Sequence, residues 1–156
     1  MNKMANFIEW LIGIFGSSSQ PSVIGAINWD ETINIITPHI KKPSQIYLSD
    51  ITYSLTSVDE LRKFLNLDRT NYGKYEAEGH DCDNFSYQLM GYFSKWSYSF
   101  CFGIAWSKGH AFNIMIDSNK KLYVIEPQGD AIYTIEEVIV SSNLKPLYYP
   151  FELVLI

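Results

Sequence analysis

An α+β domain is predicted for this chain on three observations. Residues 82–96 carry apolar side chains at spacings of three and four, the signature of a helix with one buried face. Segments rich in β-branched and aromatic residues follow at 99–106, 110–117 and 121–126, so one central helix precedes a run of antiparallel strands. The 156 residues are 47% hydrophobic and 19% charged, a core-rich composition long enough to bury roughly two-thirds of the unfolded surface in one domain.

At the start, Phe7, Ile8, Trp10, Leu11, Ile12, Ile14 and Phe15 form a short apolar segment that ends at Gly16 and a serine run. Glu9 interrupts it and only Lys3 precedes it as a basic residue, which makes a poor signal peptide, and it is too short to span a bilayer. Residues 1–20 are therefore expected to be an N-terminal apolar helix and linker, packed on the domain or on a twin subunit. An interfacial membrane anchor is the lesser reading, because its polar face carries almost no Lys or Arg. Residues 21–156 are read as a single domain. Within it, Val23, Ile24, Ile27 and residues 33–36 suggest short strands broken by Pro38 and Pro43, and Tyr47, Leu48 and Ile51 an extended piece. Ser57 followed by Glu60 is a capping box opening a helix to about residue 66, with Leu61, Phe64 and Leu65 inward.

Residues 71–79 read as a polar loop into the Cys82 helix, on which Cys82, Phe85, Ser86, Leu89, Phe93 and Trp96 share one face. Gly91 within that helix costs about 1 kcal/mol against Ala, and close approach of another backbone is the expected reason. Residues 135–140 read as a short helix or strand, and 147–156 as a closing strand.

Three motifs carry chemistry. Cys82 stands at the start of a helix, where unpaired N–H groups and the macrodipole favour a thiolate. His110, after Gly109, and Glu126, before Pro127, lie on consecutive strands. A thiol, an imidazole and a carboxylate are the nucleophile, base and orienter of covalent catalysis. Their geometry makes a demand on register. His110 and Glu126 share a sheet face only if paired residues sum to an even number. A three-residue loop over residues 118–120 sets that sum at 238 and places Glu126 diagonally from His110, about 7–8 Å away. A two-residue loop puts the carboxylate on the wrong face. Asn119 is the residue expected to take the left-handed conformation such a loop needs.

In the mechanism these motifs suggest, His110 takes the Cys82 proton, the thiolate attacks a carbonyl and an acyl-enzyme forms. Glu126 accepts the other ring N–H, and the Cys82 backbone N–H donates to the oxyanion. A second oxyanion donor comes from Gln128 or from residues 72–78. Asp81 and Asp83 disfavour a thiolate between them unless they cap the helix or bind a cation. Cys101, flanked by Phe100 and Phe102, belongs to the core; His39 and His80 read as surface residues, His80 being a weaker rival base. Two cysteines give no disulfide framework and are read as reduced thiols in a cytosolic setting.

The motifs Tyr75-x-x-Glu78-x-x-Asp81-Cys82-Asp83-Asn84-Phe85, Gly109-His110-Ala111-Phe112-Asn113 and Ile125-Glu126-Pro127-Gln128 together resemble the papain-like cysteine protease domain of the fairy-ring mushroom agglutinin and its phage and bacterial relatives. The resemblance covers roughly residues 44–129. It implies a papain-like fold and thiol-protease (hydrolase) activity, with Cys82 as nucleophile, His110 as base, Glu126 as third member and Gln128 as auxiliary. It also implies a Ca²⁺ requirement, for which Glu78, Asp81 and Asp83 offer hard oxygen ligands without a ligand set being assignable. The family's sugar-binding β-trefoil does not match, so carbohydrate binding is not implied.

A protein or peptide substrate follows from the peptidase reading. The net charge of −5 argues against a nucleic-acid partner, and self-association through the N-terminal helix fits its apolar face. Localisation is expected to be cytoplasmic, or virion-associated if phage-encoded. Two alternatives stand beside the peptidase: an NlpC/P60- or CHAP-like cell-wall amidase, and a catalytically silent virion or interaction module of the same fold.

Overall fold

The structure, a computed structural model, describes residues 20–95 and 98–156. The expected N-terminal helix and Trp96 lie outside the described residues. Among the described residues, eight strands and five α-helices follow in chain order: β1 (Gly25–Asn28), α1 (Trp29–Ile36), β2 (Ile46–Tyr47), β3 (Thr52–Leu55), α2 (Val58–Leu67), α3 (Cys82–Ser94), β4 (Phe102–Ser107), β5 (His110–Ile116), β6 (Leu122–Glu126), β7 (Ala131–Thr134), α4 (Ile135–Val140), α5 (Lys145–Tyr148) and β8 (Leu153–Leu155). The main sheet has the order β2-β8-β4-β5-β6-β7, and β1 and β3 form a separate antiparallel pair. The architecture is α+β, with one departure from the antiparallel expectation: β2 pairs β8 in parallel.

β5 lies inside the sheet and is buried on both faces, so apolar residues occupy consecutive positions on either side of Asn113. Phe112, Ile114 and Ile116 belong to one core cluster, with Ile36 of α1, Val138 of α4, Tyr148 of α5 and Leu55 of β3. Met115 belongs to the other, with Leu61, Phe64 and Leu65 of α2 and Leu89 and Phe93 of α3. The buried face of α3 holds Phe85, Ser86, Leu89 and Phe93, as the sequence spacing requires.

The β5–β6 hairpin has the expected register: Asn113 pairs with Ile125 and Ile116 with Leu122, so paired numbers sum to 238. Asp117 fixes the loop, its Oδ1 accepting the N–H groups of Asn119 (2.9 Å) and Lys121 (3.0 Å). The left-handed residue is Lys120 (φ 59°), not Asn119.

Other expectations are corrected. The β-branched stretch at residues 33–36 is helical, because Asn28 and Glu31 form a capping box in which the Asn28 side chain accepts the Glu31 N–H at 2.9 Å. The closing segment is split into α5 and the short β8. Gly91 has nothing within 4 Å of where a Cβ would sit, so no backbone approaches it. The glycine that packing demands is Gly103, where a Cβ would lie 2.1 Å from the Leu155 carbonyl of β8.

Candidate thiol site

Cys82 is the first residue of α3, so its N–H is one of the four without an acceptor inside the helix. Asp81 is the N-cap residue, and its own N–H donates to the Asn84 side-chain oxygen at 3.1 Å. The thiol is half-buried and free, and its Sγ accepts the Ala111 N–H at 3.4 Å. The sulfur therefore meets β5 one residue beyond His110. The Ser86 hydroxyl donates to the Cys82 carbonyl at 2.8 Å and steadies the first turn.

His110 begins β5 after a tight turn in which Gly109 takes φ 85°. Its Nε2 lies 2.8 Å from Glu126 Oε2, and each side chain is 17% exposed. With Glu126 ionised, Nε2 is the donor, which leaves Nδ1 as the basic nitrogen. Three donors converge on the carboxylate: His110 and the Tyr148 hydroxyl (2.9 Å) on Oε2, and the Gln128 backbone N–H (3.2 Å) on Oε1. Burial works against ionisation of Glu126, but these hydrogen bonds outweigh it and hold its pKa below the ordinary carboxylate value. Gln128 thus serves through its backbone, as a clamp on Glu126.

Of the sequence-predicted residues, His110 and Glu126 meet across β5 and β6, and the Cys82 sulfur meets β5 at the backbone of Ala111, the residue after His110. Two further residues escaped sequence reasoning. Tyr148 comes from the segment read as a strand, and only the α5 turn aims it at Glu126. Asn113 sits inside one of the quoted motifs without a role; its buried amide donates to the carbonyls of Ser86 (3.0 Å) and Gly103 (3.1 Å).

The remaining candidates fall elsewhere. Cys101 is buried, and desolvation pushes its thiol up to about 12. His80 is half-buried: its ring packs edge-on against Phe85 at 4.5 Å, and its Nδ1 is buried without a partner. His39 is likewise packed against Tyr149 and Phe151. A hydrogen bond with Asp81, with burial and the Asp81 charge adding to it, raises the Asp83 pKa. Among the described residues, no three His, Cys, Asp or Glu side chains cluster to hold a metal ion, so the donor set does not fit the implied Ca²⁺.

No family model matches the chain, and no curated protein matches it. Solved structures do. A complex of PSL1a with E64 matches with TM-score 0.67 at 19% identity, over 84% of this chain and 51% of that one. Polyporus squamosus lectin bound to the human-type influenza-binding epitope Neu5Acα2-6Galβ1-4GlcNAc matches with TM-score 0.65 at 19% identity, over 84% of this chain and 49% of that one. The chain shares its fold with a fungal lectin. It spans about half the length of the solved chains it matches.

This result corrects the classification drawn from the sequence. The neighbours are lectins, and that finding overturns the assignment of the chain as a cysteine-type hydrolase, together with the hydrolase and thiol-protease descriptions. The sequence expectation went astray because it read an activity from a residue set, and a fold hosts unrelated functions. Among the described residues, no helix is long and apolar enough to cross a membrane.

Proposed function

We propose that Cys82, His110 and Glu126 form an activated-thiol site, in which Cys82 is more reactive toward electrophiles than a free thiol. The reading concerns the reactivity of one thiol and names no turnover, so it stands apart from the hydrolase assignment that the lectin neighbours overturn. One observation carries it: His110 commits Nε2 to a triply bonded carboxylate while the Cys82 sulfur lies at the backbone of the next residue. Such an imidazole keeps Nδ1 for the thiol proton. The solved complex of the neighbour PSL1a with E64 supports testing this chain with the same compound. The sialylated epitope is a property of the whole Polyporus lectin, half of which lies outside the match, and nothing in the described residues favours it here.

The test is intact-mass analysis after incubation with E64 and, separately, with iodoacetamide near neutral pH. The expected result is one adduct on Cys82, absent in Cys82→Ala and slowed about a hundredfold in His110→Ala. A Cys82 that reacts no faster than a free thiol sinks the reading and leaves the silent module.

A further inference from the structure

Tyr148 is the residue of this neighbourhood that the proposed chemistry does not use. It is buried at the end of α5. Its hydroxyl donates to Glu126 Oε2 at 2.9 Å, the same oxygen that faces His110 Nε2. Its ring also stands edge-on to the imidazole, with centroids 5.4 Å apart and planes at 60°. One side chain therefore touches both members of the pair, by hydrogen bond on one and by ring contact on the other. The turn that carries it is fastened to the sheet, for the Ser107 hydroxyl donates to the Leu147 carbonyl, and the Glu152 N–H donates to the Trp106 carbonyl at 2.7 Å. A purely apolar role would be served equally by Phe, yet the hydroxyl here ends on a carboxylate that already has two other donors.

We propose that Tyr148 is a positioning residue that tunes the basicity of His110 by sharing the Glu126 oxygen with it. Each donor on Oε2 takes part of its electron density. With the tyrosine bonded, the carboxylate pulls less strongly on the imidazole N–H, and the neutral ring with a free Nδ1 is favoured over the imidazolium. The groups around this pair are Cys82 from α3, Glu126 from β6, Tyr148 from α5, and Tyr133 of β7, whose ring lies 5.9 Å from that of Tyr148. Burial and the Glu126 charge raise the Tyr148 pKa, so the hydroxyl remains a donor throughout the range in which histidine titrates.

The inference rests on the activated-thiol reading for its relevance, but its test does not. The ring titration of His110 is followed by NMR in the full chain carrying Cys82→Ala, which removes coupling to the thiol. Tyr148→Phe is expected to raise the His110 pKa by about half to one unit, the size of one hydrogen bond's influence. In a chain that also carries Glu126→Gln, the same change is expected to leave the His110 titration unmoved. A Tyr148→Phe protein with an unshifted His110, or with the same shift in the Glu126→Gln background, overturns the inference. Should Tyr148→Phe fail to fold, Tyr148→His retains a ring donor and must give a His110 titration closer to the parent than Tyr148→Leu does; equal titrations overturn it as well. An inert Cys82 with the His110 shift present sinks the activated-thiol reading alone, while a reactive Cys82 without the shift sinks this inference alone.

Discussion

Asn113 donates its side-chain amide to the Ser86 carbonyl at 3.0 Å, tying the helix that carries Cys82 to the strand that carries His110. The second amide hydrogen goes to Gly103 of β4 at 3.1 Å, so one fully buried side chain pins three elements. Replacing it removes both of these hydrogen bonds from a region closed to water. Asn113→Ala is expected to lower stability by about 2 kcal/mol, read from urea unfolding, and to slow Cys82 alkylation because the sulfur is no longer held against β5. Unchanged alkylation in a destabilised variant would confine Asn113 to the fold.

The two thiols are expected to separate cleanly. At pH 8 in the native state only Cys82 reacts with a thiol reagent, because burial has pushed Cys101 up to about 12. In denaturant both react. Native-state labelling at Cys101 would mean that the β3–β4 region opens readily.

Gly103→Ala directs a methyl group at the Leu155 carbonyl, which no rotamer change relieves. β8 must move away from β4, at a cost of about 1–3 kcal/mol or somewhat more. The same substitution at Gly91, where nothing is near, is expected to stabilise α3 slightly. Comparing the urea midpoints of the two variants checks the assignment.

Asp130 gives a pH dependence of definite sign. Burial, then the charge of Asp68, raise its pKa to about 6 against the hydrogen bond from Asn71. The Asn71 amide donates to Asp130 Oδ2 at 2.5 Å, while Asp130 Oδ1 and Asn71 Oδ1 are both buried without a partner. A proton on Asp130 supplies the missing donor. The folded state therefore holds this proton more tightly than the unfolded chain, whose carboxyl titrates at about 3.9. The stabilisation is complete below that value and is lost as pH rises through about 6. Asp130→Asn is expected to flatten the fall in urea midpoint between pH 4 and 7 relative to the parent. A parallel fall in both proteins would remove Asp130 from the account.

Much of the site was legible in the residues. A thiol at a helix start, a histidine after a turn glycine and a glutamate on the next strand are local patterns, and the loop length at residues 118–120 settled which way the last two face. What escaped notice was delivered from a distance. Tyr148 lies 22 residues beyond Glu126 and reaches it only because α5 folds back over β5. The capping box of α1 was in the sequence but was outweighed by its β-branched isoleucines, whose strand preference yields to a well-capped, amphipathic helix.

By itself, the sequence determined what hydrogen bonding and side-chain periodicity settle over a few residues: where α2 and α3 begin, which face of α3 is apolar, and the even register that turns His110 and Glu126 toward each other. Tertiary structure decided what depends on partners far along the chain. It slotted β8 between β2 and β4 at the one position where Gly103 leaves room, buried the Asn113 amide between helix and sheet, and brought the Tyr148 hydroxyl onto the carboxylate. The division follows from range: backbone geometry carries local preferences along the chain, whereas the burial of apolar surface and the pairing of buried polar atoms are satisfied only when the whole domain closes.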